Sequence, residues 1–223
     1  MKDKEIDELL AAPNRVDPSL LDRVSTSIGA SLQPVRPMAP AWMLASVLWL
    51  LAAGIAVVSA SALGMYGIQK LNGAEMGTIF PALGIFTWLA ALLSVAAMTP
   101  GGMRWNPARL LLIILLAWIA LDAILFRDYQ MDFFVRQGIP CLRAGLIVAI
   151  PAGVASWLVL RRGFAVDAGA AGLAAGALAG FAGLIMLEIH CPNLHAMHVM
   201  VWHTAVIPVS ALAGTLLTRR FSQ

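Results

Sequence analysis

Apolar residues fall into six long runs parted by short polar breaks, at residues 41–63, 77–98, 108–126, 139–160, 168–187 and 197–217. At about 1.5 Å per residue, each run is long enough as a helix to cross a hydrocarbon layer about 30 Å thick. Short breaks mean that neighbouring helices pair as antiparallel hairpins. The pattern predicts an all-α polytopic membrane protein, a six-transmembrane-helix bundle over residues 41–218. In the fifth run Gly169, Gly172, Gly176, Gly180 and Gly183 recur at spacings of three and four. One helix face is thereby stripped of side chains, so another backbone can approach it closely. That helix is expected at the centre of the bundle.

Residues 1–40 form a polar, cytosolic-type segment. Ile6, Leu9 and Leu10 give residues 1–12 a one-sided helical pattern, which Pro13 and Asn14 end. Asp17 followed by Pro18 is an N-cap and first helical position, and Leu21, Val24, Ile28 and Leu32 then repeat at three or four. Residues 34–40, with Pro34, Pro37 and Pro40, read as a stiff extended spacer ahead of the first span. Two short amphipathic helices cannot bury a core of their own. Either they lie on the membrane surface or are partly disordered, or their apolar faces serve a partner protein.

Composition agrees with the pattern. The chain is 60% hydrophobic and 12% charged, with mean hydropathy +0.82, whereas soluble domains carry about a quarter charged residues. The net charge of +3 comes with arginines beside the apolar runs, where topology accounts for them, so it does not point to nucleic acid. With the N-terminus inside, the inner flanks hold Arg23, Arg36, Arg104, Arg109, Arg161, Arg162, Arg219 and Arg220, and the outer flanks hold Lys70, Arg127, Arg136 and Arg143. Positive charge favours the inner side, which sets both termini there. No cleavable signal peptide is expected, because the first apolar run starts near Ala41 behind a charged segment.

That topology gathers the reactive side chains in one outer layer. Both cysteines, Cys141 and Cys191, and all four histidines, His190, His195, His198 and His203, lie there. Asp122, Asp132, Arg136, Arg143 and Glu188 lie in the same layer. Ionisable groups near hydrocarbon face a bundle interior or one another, and Arg143 is the expected partner of Asp122 and Glu188. Pro140 before Cys141 and Pro192 after Cys191 suit helix first turns. Each thiol is therefore expected at a helix N-terminus, where the dipole stabilises a thiolate. Cys141 and Cys191, with His190 and with His195 or His198, form a thiolate and imidazole set suited to zinc, cadmium or copper. His195 and His198, three apart, can share a helix face. The same two thiols can instead join as a disulfide. No obligatory cofactor is implied.

Catalytic patterns are missing from the sequence. There is no Gly-rich phosphate loop, no HExxH and no GxS in a membrane helix. Haem ligation by two histidines usually uses two helices, whereas these four cluster on one loop and helix start. A transporter would place polar groups at the midplane rather than at one surface. The chain is read as a non-enzyme. The competing reading is a membrane redox or metal-binding subunit built on the His/Cys layer.

The details around the cysteines resemble a known family. Gly138-Ile139-Pro140-Cys141 opens a helix that Leu160-Arg161-Arg162-Gly163 closes. A Gly/Ala-rich helix then ends in His190-Cys191-Pro192, the two cysteines are fifty residues apart, and Trp202-His203 follows. Ser31-Leu32-Gln33-Pro34-Val35-Arg36-Pro37 stands before the first span. This set resembles the NrsF-like membrane anti-sigma factors, negative regulators of an extracytoplasmic-function sigma factor of the sigma-F kind. The resemblance implies a bacterial inner-membrane protein with both termini cytoplasmic. Residues 1–40 would then be the candidate sigma-factor-binding region, and Cys141 and Cys191 the sensors of metal or oxidative stress. Asp122, Arg143, Glu188 and His203 would support that layer, and the acidic start at Asp3, Glu5, Asp7 and Glu8 departs from the family pattern.

Overall fold

A computed structural model describes residues 17–31, 39–99, 101–102, 106–130, 133–161, 163, 165 and 167–221. The helix expected at 1–12 with its acidic start, most of the proline spacer, Leu32, Arg36, Arg104, Asp132 and Arg162 lie outside the described residues. The chain divides between Met38 and Ala39 into two units.

In the first unit, helix α1 spans Pro18–Ser31. It starts where the sequence says, because the Ser19 N–H donates to Asp17 Oδ1 at 2.9 Å and satisfies one of the first turn's free donors. Its apolar residues Leu20, Leu21 and Val24 are exposed.

The second unit is the bundle. Its helices are α2 (Ala41–Leu63), α3 (Gly73–Ala97), α4 (Pro107–Leu125), α5 (Phe134–Leu160) and α6 (Ala168–His190). The last span runs through α7 (Ala196–His198), a π-helical turn at Val199–His203, and α8 (Val206–Phe221). Among the described residues there is no strand, and six segments are long and apolar enough to cross a membrane. The all-α bundle expected from the apolar runs is the fold observed, and the chain is a multi-pass membrane protein.

Two helices begin earlier than the apolar runs. α3 starts at Gly73 because Asn72 Oδ1 accepts from the Ala74 and Glu75 N–H groups, both at 2.9 Å. Glu75 returns the bond by accepting from the Asn72 N–H at 2.8 Å, a capping box. α5 starts at Phe134, directly after Phe133 in left-handed backbone with φ 53°. Pro140 therefore falls inside that helix.

α6 is the axis of the bundle. Its apolar window is 83% buried, against 22–44% for the other spans, and it packs on α2, α3, α5 and α8. Its glycines make that possible. A Cβ on Gly176 would meet the Ser210 carbonyl and Ala211 Cα, one on Gly180 would meet Ile207 Cα, and one on Gly172 would meet the Gly214 backbone. Gly183 stands equally close to the backbone of Gly145 on α5. The helices touch main chain to main chain, as small-residue faces allow where no hydrophobic effect drives them together. Gly176→Ala should therefore cost about 1–3 kcal/mol of overpacking, read as a lower unfolding temperature in detergent. Gly54→Ala, where a Cβ meets nothing within 4 Å, should leave that temperature unchanged.

The turns after α2, α4 and α6 meet at one end of the bundle. There the loop that follows α2 is fastened to the last turn of α6. The Gly67 N–H donates to the His190 carbonyl at 3.2 Å, and the Ile68 N–H donates to the Ile189 carbonyl at 3.1 Å. The loop after α4 is fastened to α7 by the Ala196 N–H, which donates to the Asp128 carbonyl at 2.7 Å.

Candidate functional site

The two thiols meet at this end. Cys141 Sγ and Cys191 Sγ are 3.3 Å apart, with Cys141 half-buried and Cys191 buried. Neither stands at a helix N-terminus, which corrects the sequence expectation. α5 begins seven residues before Cys141. Cys191 follows the last residue of α6, its N–H donating to the Leu187 carbonyl at 2.8 Å. At a C-terminal end the helix dipole opposes an anion rather than favouring it. The hydrogen bond with Cys141, and then burial, hold the Cys191 thiol above its ordinary value, while His198 and His203 pull the other way.

Two histidines complete a four-residue group. Cys141, Cys191, His198 and His203 each offer one ligand atom, and these atoms lie within 4.8 Å of one another. His198 Nε2 is 3.6 Å from Cys191 Sγ. The rings of His198 and His203 meet edge to face with centroids 5.1 Å apart. A regular α-helix turns about 100° per residue and would swing residues five apart to roughly 140° from each other. The π-helical turn at Val199–His203 closes on the fifth residue instead and brings both rings to one side.

His203 is tied from behind by Glu188. Its Nδ1 is 2.9 Å from Glu188 Oε1, and both side chains are fully buried. Nδ1 donates to the carboxylate, so the remaining nitrogen, Nε2, is the one left for the thiol cluster. It is buried and has no hydrogen-bond partner among the described residues. Asp122 on α4 is also fully buried and lies within electrostatic reach of Glu188 and His203. Neither of its carboxylate oxygens has a hydrogen-bond partner among the described residues.

Other sequence expectations resolve differently. Arg143 is exposed and, among the described residues, makes no ion pair with Asp122 or Glu188. It stands two residues after Cys141, about 200° around the helix and on the face away from the thiols. Glu188 has taken His203 as its partner in place of Arg143. His190 stands outside the four-residue group, with its Nδ1 2.7 Å from the Gly64 carbonyl and its ring beside Tyr66. His195 is outside it too, with its Nδ1 2.9 Å from Asp128 Oδ2. Of the five residues read as metal ligands, Cys141, Cys191 and His198 come together, and His203 joins them from the supporting layer.

The motif residues around the cysteines also touch one another. A Cβ on Gly138 would collide with the Trp202 indole, and Trp202 in turn packs on Phe134 with ring centroids 5.3 Å apart. Gly138, three residues before Cys141, thus seats the indole that precedes His203. In front of the thiols lies an open cavity of about 1110 Å³, whose lining includes Lys70, Arg127, Asp128, Arg136, Cys141 and His198.

Such a pair of thiols has two chemistries. A disulfide bond is about 2.05 Å long, so closing the gap takes an approach of only about 1.3 Å. Alternatively both sulfurs, as thiolates, can hold a soft cation together with imidazole nitrogen.

No curated protein and no solved structure matches the chain. The family model described as negative regulator of sigma F matches residues 29–223. With that match over nearly its whole length, the chain belongs to the NrsF family of negative regulators of sigma F.

Proposed function

We propose that this protein is an anti-sigma factor of the bacterial inner membrane, with both termini in the cytoplasm. It holds an extracytoplasmic-function sigma factor away from RNA polymerase and releases it when Cys141 and Cys191 react at the outer face. The observation that carries this reading is the 3.3 Å thiol pair in a chain of the sigma-F regulator family. Oxidation removes two protons and two electrons from the thiols and passes them to a peroxide, which leaves as water. Capture of a soft metal ion displaces the same two protons. Oxidation draws α5 towards the end of α6, metal capture fixes the two sulfurs on one ion at a wider spacing, and the close packing of α6 carries either change through the bundle. Such a two-state rearrangement is enough for signalling. Residues 1–40 bind the sigma factor, with the exposed Leu21 and Val24 on α1 as the apolar contact. The segment contacts protein and lipid, not nucleic acid.

Co-purification tests the reading. The protein carries a C-terminal tag and is extracted in mild detergent from unstressed native cells. A sigma factor should accompany it in stoichiometric amount and be lost after brief treatment with peroxide or cadmium. Recovery of haem or a tightly held metal with no sigma factor would favour a redox or metal-handling subunit instead.

A further inference from the structure

We infer that Cys141, Cys191, His198 and His203 form a tetrahedral site for a zinc-class divalent cation, with Glu188 as the carboxylate that positions His203. The inference rests on reading the thiol pair as the sensing element and specifies the complete ligand set of that element. Four ligands on one tetrahedral ion, with metal–sulfur bonds of about 2.3 Å and metal–nitrogen bonds of about 2.0–2.1 Å, stand roughly 3.3–3.8 Å from each other. The Cys191 to His198 separation of 3.6 Å already has the sulfur–nitrogen spacing, and the two sulfurs at 3.3 Å would open by about 0.5 Å to reach theirs. The widest pair, within 4.8 Å, needs a contraction of about 1 Å.

The second layer is in place for His203. A ligating histidine usually donates its other N–H to a carboxylate, which fixes the ring and leaves one nitrogen for the metal. His203 does this through Glu188 at 2.9 Å, and its Nε2 is buried without a partner among the described residues. Access is provided by the cavity, which Cys141, Cys191 and His198 line. His203, fully buried, closes the site from within. Two thiolates neutralise a divalent ion, so the core of the complex carries no net charge beside the hydrocarbon layer. Their two protons leave to the water of the cavity.

An ion held there also occupies both sulfurs. The metal-bound and disulfide forms exclude each other, and a bound ion protects the thiols from oxidation and alkylation.

The test uses the full-length reduced chain in detergent, without any sigma factor, titrated with cobalt(II). One equivalent should bind and give the visible bands of a tetrahedral ion together with a sulfur-to-cobalt charge-transfer band. Zinc should then bleach both. His198→Ala and His203→Ala should each lose the tetrahedral bands. Glu188→Gln should keep the spectrum while its affinity falls about 10–100-fold, a split that a purely structural role would not produce. Absence of tetrahedral bands in the parent chain would overturn the site. So would unchanged bands in His198→Ala, a change that leaves the buried Glu188 pair intact. Since no sigma factor takes part, failure here leaves the regulatory reading standing, and failed co-purification leaves the metal site standing.

Discussion

Cys141→Ser or Cys191→Ser should leave repression of the sigma factor intact and abolish its release under stress. Serine is close to cysteine in size, so the packing around the Gly138–Trp202 contact and the end of α6 should tolerate it. A hydroxyl, however, neither joins the remaining sulfur nor holds a soft cation as a thiolate does. With the sulfurs 3.3 Å apart, losing either one removes the disulfide and the metal chelate together, so the two single variants should share one phenotype. The measurement is transcription from a sigma-dependent promoter, before and after exposure to cadmium or peroxide. A Cys141→Ser strain that still responds like its parent would show that the thiol pair is not the sensor.

Glu188→Ala should be the most destabilising single change at the site, at about 1–3 kcal/mol, because it leaves the buried Nδ1–H of His203 without its acceptor. Glu188 and His203 are both fully buried and 2.9 Å apart, and the buried carboxyl of Asp122 is close by. Thermal unfolding in detergent reads the loss. Replacing both members, with Glu188→Leu and His203→Leu, should recover much of it, since apolar packing can stand in for a buried hydrogen-bonded pair when both polar partners go together. A double variant no more stable than Glu188→Ala would mean that the pair matters through shape rather than through its hydrogen bond. These two experiments separate signalling from stability, because the serine variants should melt normally.

Much of the bundle was legible from periodicity alone. Apolar runs of helical length give the spans, and glycines at spacings of three and four give the face on which α6 meets α8. The fifty-residue separation of the cysteines, read with the hairpin topology, places both at one end. Helix starts were harder, because polar residues such as Asn72 and Glu75 extend α3 by capping, and Phe133 opens α5 through a left-handed backbone. The histidine pairing differs from the one helical spacing suggests for a related reason. A regular helix pairs His195 with His198, three apart, whereas the backbone pairs His198 with His203 through a π turn. No residue pattern in Val199–His203 marks that departure. Arg143 is the cation nearest Cys141 in sequence, yet its position two residues on already turns it to the far face. The carboxylate found a buried imidazole instead.

The π turn also sets the register of the whole last span. His198 stands just before it and His203 is its last residue, and beyond it Ile207, Ser210 and Gly214 of α8 meet the glycine face of α6. Tightening the turn to α geometry would advance everything on one side by about 100° relative to the other. His203 would then leave the thiols, or α8 would lift its flat face from the glycines. One extra residue in the backbone thus serves as a common key for ligand placement at the end of the bundle and backbone contact along its length.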